Sequence, residues 1–421
     1  MSFQDVRKSR KWMSAGEIRL LLFALFLLIA LLAADVALAR VLPGGEWFFM
    51  RWSGARAFLV EKIGPYSTEV AQRTQEVAYG RPAFSSEYGY VLNDPFYLVM
   101  LYSPLALIWD FTLARGLWML FSQAALAGIV LFAFNLSEWQ PPRWLYVFLL
   151  VFGLFGYFSL NALTSGTPAI LLMFLYLWIL TALRSGSDEL AGVLLALIAY
   201  QWEVGGLFFL FILVFVFANR RWNVLVGFAM SLFVLLVVSF LAYPGWGLPY
   251  VRAVISDWNR GANLTFGRML TTWFPDSEFP LGGIVAIVVG IVVFLEWLGS
   301  LGAHFRRVVW TASLSLAATP LVGLAIFPSN HTVLLLPFVL ILALVWERWQ
   351  RRRVWLSALI LLLALAIPFG LYLRSVYIYD PLVNDLMAVL PPLAAIVGLY
   401  WMRWWILRPP RTWADRIGDQ A

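Results

Sequence analysis

Glu46 directly follows the pair Gly44-Gly45, and Arg51 and Arg56 come five and ten residues later, in the run Glu46-Trp47-Phe48-Phe49-Met50-Arg51-Trp52-Ser53-Gly54-Ala55-Arg56. A guanidinium fork matches phosphate oxygens, and two arginines five apart share a helix face loosely. A carboxylate beside them could accept a hydroxyl proton while the cations stabilise a departing phosphate. Transfer of a sugar from a lipid-linked phosphate to a hydroxyl needs that set. Solvated interfacial residues that pair with lipid headgroups would show the same types, so the residues alone leave both readings open.

Other chemistry is thin. The chain has no cysteine and two histidines, which removes disulfides and thiolate metal sites. His304 adjoins Arg306 and Arg307 and reads as part of a basic loop. His331, in Pro328-Ser329-Asn330-His331-Thr332, is the candidate. Glu203, at a break between apolar blocks, and Asn263, in a polar segment, are lesser candidates. Asp35 is a rival carboxylate, with pairing to Arg40 or headgroups as its expected role. Asp276 and Glu278 lack ligand spacing, so no metal and no cofactor is expected. Signatures for nucleotide hydrolysis, zinc proteolysis and acyl-enzyme chemistry are missing.

The elements that must position these residues are membrane helices. Apolar residues make up 62% of 421 positions and charged ones 13%, far from the roughly 45–50% and 25% of soluble domains. The apolar residues come in blocks matched to a ~30 Å hydrocarbon layer. About twelve blocks are expected to span it, at 18–42, 113–135, 144–163, 168–184, 189–202, 204–219, 223–243, 280–299, 307–327, 331–346, 354–374 and 386–406. The net charge of +7 comes from arginines scattered between blocks, which argues for positive-inside topology and against nucleic acid.

Alternate connections fall into two classes. One carries Arg143, Arg184, Arg220, Arg221, Arg306, Arg307, Arg348 and Arg351 to Arg353 with both basic termini, and is expected to be cytoplasmic. The other holds the segment from Pro43 to Thr112, the turn at Ser165-Gly166, the Trp202-Glu203 break, the segment from Tyr243 to Pro280, Pro328 to His331, and Val376 to Asp385. The expected architecture is one all-α polytopic domain over 1–421, with cytoplasmic tails 1–17 and 407–421 and extracytoplasmic loops 43–112 and 244–279. Within the first loop, 95–109 contains Pro104 and is expected to be re-entrant or interfacial. The N-terminal basic and apolar stretch is expected to be an uncleaved anchor. The expected location is a cell membrane, bacterial, with both termini cytoplasmic.

Several short motifs in order add a resemblance. Gly45-Glu46-Trp47, Trp52-Ser53-Gly54-Ala55-Arg56, Gly64-Pro65-Tyr66, Asn93-Asp94-Pro95-Phe96 and Ser103-Pro104-Leu105-Ala106 resemble the first extracytoplasmic loop of glycosyltransferase family 87, of GT-C type. Ser165-Gly166-Thr167, Ala191-Gly192-Val193 and Pro328 to His331 add weaker matches. The resemblance implies a GT-C helix bundle and a polyprenyl-phosphate sugar as donor. It implies inverting transfer of a hexose or pentose to a lipid, glycan or protein acceptor outside the cytoplasm. By position it implies Glu46 as catalytic base, with Arg51, Arg56 and His331 near the donor phosphate; the expected substrate contacts are then Tyr66 and Thr167 together with the lesser candidates Glu203 and Asn263. The expected partners are thus the bilayer, the lipid-linked donor and the acceptor, with no nucleic acid. Departures are Glu46 where the family has aspartate, Thr167 for glutamine, and Gln201-Trp202-Glu203 for a lysine-proline pair. A transporter or flippase of a lipid-linked solute, and a non-catalytic membrane scaffold, remain the alternatives.

Overall fold

The computed structural model describes residues 15–84, 87–259, 264–378 and 381–407. The tails through Ser14 and beyond Leu407, and the candidate Asn263, lie outside the described residues. Among the described residues the regular structure is helical, with an antiparallel bridge between Thr265 and Ala325.

Among the described residues, seven helices are long and apolar enough to cross a membrane: Gly16–Val41, Phe111–Ser137, Trp222–Ala242, Leu281–Ser300, Pro328–Arg348, Arg353–Tyr377 and Leu382–Ile406. The pair Arg143–Phe155 and Tyr157–Ser165, bent by 42°, makes an eighth if counted as one span. The expected twelve are not all present as full-length helices, and the reason is physical. Asp188–Ile198 has 11 residues and Phe305–Ala318 has 14, rises of about 16 and 21 Å against a ~30 Å layer. Ala169–Ser185 and Trp202–Ala218 are also short. The expected blocks 168–184, 189–202 and 204–219 are themselves short, so apolar composition marks these helices without making each a full crossing.

Small residues let the short helices pack closely. A Cβ on Gly192 would lie 2.3 Å from the Val224 carbonyl oxygen, so Asp188–Ile198 and Trp222–Ala242 meet backbone to backbone. The first span is seated on the second in the same way: a Cβ on Gly116 would come 2.5 Å from Val36. The main core, around Tyr176, Phe208, Phe211 and Trp310, fills the bundle.

The two classes of connection keep to their own contacts. Arg184 pairs with Glu138, Arg221 with Asp188 and Arg306 with Glu347, while Arg353 lies over Trp346 and Arg348 over Trp405. At the other end, the segment after the first span folds into Glu46–Arg56, a π turn over Ala57–Glu61, and Thr68–Tyr79, which Ser67 caps through Val70 N. Two short helices follow, Phe96–Leu101 and Ser103–Ala106. No helix within 95–109 is long enough to cross. This layer has its own core, in which Phe48, Met50, Trp52, Leu92 and Phe96 pack on Trp118 of the second long span.

Candidate active site

The site is built where the first span turns into the layer above it. Gly44 and Gly45 have φ of +102° and +91°, a region open to glycine and strained for other residues. The double reversal ends one helix and starts the next at Glu46. Such a turn strands carbonyls at the end of the first span, and Arg115 collects them. Its Nη1 donates to the carbonyls of Ala39 (3.1 Å) and Leu42 (3.0 Å), and its Nη2 to those of Pro43 (3.2 Å) and Thr164 (2.8 Å). A Cβ at Gly45 would stand 2.7 Å from Arg115 Nε, so the second glycine also makes room for the guanidinium. Glu46 is half-buried beside this cation. Burial raises its carboxyl above the ordinary glutamate value, and its own backbone N–H and Arg115 partly offset that rise. Tyr79 and Tyr90 share its surroundings.

Arg51 does not sit with Glu46. It is 1% exposed and closes on Asp94, itself 1% exposed, with Nε 2.6 Å from Oδ2 and Nη2 donating to Oδ1 at 3.1 Å. Its Nη1 donates to the Trp47 carbonyl at 2.9 Å. Tyr66, from the Gly64-Pro65-Tyr66 turn, donates its hydroxyl to the Asp94 carbonyl at 2.9 Å. Arg56 donates to the Ala106 carbonyl at 3.1 Å and stacks 4.4 Å from the ring centre of Trp109. The two first-loop arginines thus fasten the Glu46–Arg56 helix to the 94–109 segment. Thr167 is buried and its hydroxyl accepts from Ala169 N, opening the next helix. Gly166, at φ +74°, lets that turn lie against Phe48, whose Cβ would be 2.5 Å from any side chain there.

A second polar group lies below. Asn93 Nδ2 donates to Asp257 Oδ2 at 3.0 Å, and the Tyr88 hydroxyl approaches the same oxygen at 3.5 Å. Burial, then Asp257 and Glu203, hold the Tyr88 phenol well above its ordinary value, so it stays a hydrogen-bond donor. Asp257 comes from Gly247–Asn259, a helix with an inner and an outer face. Trp246 just before it, Tyr250, Ala253 and Asp257 turn inward, whereas Leu248, Val251, Ile255 and Trp258 are exposed. Glu203, at the first turn of Trp202–Ala218, borders a cavity with room for about one water molecule. Asn330, His331 and Phe327 line it too. His331 is 2% exposed, its Nε2 2.8 Å from the Ala388 carbonyl and its ring edge-on to Phe158. The ring of Phe327 meets Trp47 and Tyr88, so this cavity adjoins the first-loop helix without including Glu46.

Five predicted site residues therefore fall into four settings. Glu46 is beside Arg115, Arg51 on Asp94, Arg56 on Trp109, and His331 with Glu203 at the cavity. Arg115, Asp94, Tyr88 and Asp257 were not singled out as site residues from sequence. A lone arginine inside the apolar run Phe111–Ser137 was the one available signal for Arg115. Asp35 is buried and accepts from Gln123 of the second long span at 2.8 Å, which replaces the expected pairing with Arg40.

These features define a multi-pass helical membrane protein that assembles its polar side chains at one end of the bundle. Residues 92–282 match the model of glycosyltransferase family 87, which bears out the resemblance to that family of membrane glycosyltransferases over this stretch of the chain. The matched stretch holds Asp94, Arg115, Glu203 and Asp257, and starts after Glu46. No curated protein and no solved structure matches.

Proposed function

We propose that this glycosyltransferase takes a hexose or pentose from a polyprenyl-phosphate sugar and passes it, with inversion, to a hydroxyl of a lipid, glycan or protein acceptor on the extracytoplasmic face. The observation that carries the reading is the setting of Glu46. A glycine-enforced turn holds it half-buried at the start of a helix, with a guanidinium alongside. A carboxylate made more basic by burial is suited to receive a proton near neutral pH.

In the proposed step Glu46 takes the acceptor O–H proton as that oxygen bonds to the anomeric carbon. The bond from that carbon to the phosphate oxygen breaks on the opposite side, and polyprenyl phosphate leaves with the electron pair. The step balances without a cofactor or metal. Arg51 can meet a phosphate only on parting from Asp94, so Arg56, stacked on the exposed indole of Trp109, is the better placed of the two. Glu203 and His331, on the cavity beside Phe327, are the proposed contacts deeper in the site. Tyr66 and Thr167 support it through backbone bonds.

The test is transfer from radiolabelled polyprenyl-phosphate mannose, glucose and arabinose in membranes. Wild type is expected to consume one of these donors, Glu46→Asp to retain part of the activity, and Glu46→Gln to lose about 10²- to 10⁴-fold. No donor use by wild type or Glu46→Asp across the panel overturns the donor class. Full activity in Glu46→Gln removes the base assignment alone. Movement of intact donor between leaflets without sugar release would point to transport.

A further inference from the structure

We infer that Arg115 is the positioning residue of the first loop, fixing both the place and the charge of Glu46, an assignment that rests on the reading of Glu46 as the base. The geometry is unusual for an arginine near the end of a span. Its guanidinium is buried, 4% exposed, and bonds four carbonyl oxygens from three points of the chain: Ala39 in the first span, Leu42 and Pro43 in the turn, and Thr164 at the end of Tyr157–Ser165. Those bonds tie together the elements between which Glu46 emerges. Gly116, closed against Val36, fixes the height at which Arg115 leaves its helix, and Gly45 leaves no space between the turn and the guanidinium.

The chemistry of the partners separates Arg115 from its neighbours. Arg51 has its charge answered by Asp94. The four carbonyls around Arg115 are neutral, so they engage its two terminal nitrogens and leave its charge uncancelled. At that buried position the charge is felt by the carboxylate of Glu46, at the turn packed on the guanidinium. The other titratable groups facing Glu46 are the phenols of Tyr79, from Thr68–Tyr79, and Tyr90; both are neutral, so Arg115 is the cation that opposes the effect of burial. A lysine would keep the charge, but an ammonium has three donors on one atom and cannot span four carbonyls arranged around a planar fork.

The two parts of this role are separable by Arg115→Gln and Arg115→Lys in the full chain in membranes. Carbodiimide modifies protonated carboxyls, and labelling of the Glu46 peptide against pH, read by mass spectrometry, reports the protonation of Glu46 without any turnover. Arg115→Gln is expected to move the midpoint of labelling to higher pH and to carry the acid limb of the transfer-rate profile with it. Arg115→Lys is expected to leave the midpoint near wild type and lower kcat by about tenfold or more, with KM for the donor unchanged, since a 1 Å misplacement of a base costs up to ~10²-fold. An unmoved midpoint in folded Arg115→Gln overturns the electrostatic part. Wild-type kcat in Arg115→Lys overturns the positioning part, and that variant decides if Arg115→Gln does not fold. Absence of sugar transfer in wild type would count against the enzyme reading, whereas the labelling shift would still stand or fall alone.

Discussion

Both ends of the bundle are rich in arginine and use it differently. At the basic end, Arg184–Glu138 and Arg306–Glu347 are ion pairs with at least one partner well exposed, of a kind that contributes about 0–1 kcal/mol. At the site end, Arg51 and Arg115 are buried; Arg51 closes on Asp94 from another segment and Arg115 donates to carbonyls of other segments. The same residue type marks orientation where it stays wet and builds tertiary structure where it is dry. Exposure, more than sequence, decides which role an arginine has.

The largest effect that would sharpen this contrast is chemical. Glu46→Gln should lower kcat by about 10²- to 10⁴-fold without lowering the melting temperature at neutral pH. The sign follows from burial: the carboxyl is raised in the folded protein, so the ionised form is penalised at pH above the folded value and the penalty vanishes below the unfolded one. An amide carries no such penalty. A lower melting temperature in Glu46→Gln would mean that the carboxylate is structural. Transfer should likewise fade as pH falls through the raised value, earlier than for a solvated glutamate.

Next in size, Arg51→Ala leaves Asp94 buried without its cation and should cost about 3–5 kcal/mol, seen as early loss of the fold on heating in detergent. Gly45→Ala forces a side chain into the left-handed region and against Arg115 Nε, with an expected cost of about 1–3 kcal/mol and reduced kcat. Smallest should be Arg184→Ala, within about 1 kcal/mol of wild type and with unchanged transfer. A large loss from Arg184→Ala alongside a mild one from Arg51→Ala would invert the comparison.

The signals that were legible were local. Block lengths and polarity marked a helical membrane protein, and the run Glu46 to Arg56 marked the first loop as the place for a site. The partners of that loop were hidden by distance along the chain. Asp94 is 43 residues from Arg51 and Asn93 is 164 from Asp257, separations that no periodicity reveals. Arg115 reads in sequence as a charge near the mouth of a span, because nothing in its neighbours shows that four carbonyls converge there. The number of crossings is less legible, for a different reason. Helices such as Asp188–Ile198 stop short inside protein, where apolar packing and apolar solvent select the same residues.

The helix Gly247–Asn259 has the consequence of a thin wall. Its outer residues Leu248, Val251, Ile255 and Trp258 are exposed and apolar, and its inner Asp257 bonds Asn93. One helix diameter, about 10 Å, therefore separates the hydrocarbon side from the polar layer. For the lipid-linked donor proposed above, the head would have only that thickness to cross while its tail stayed on the apolar side.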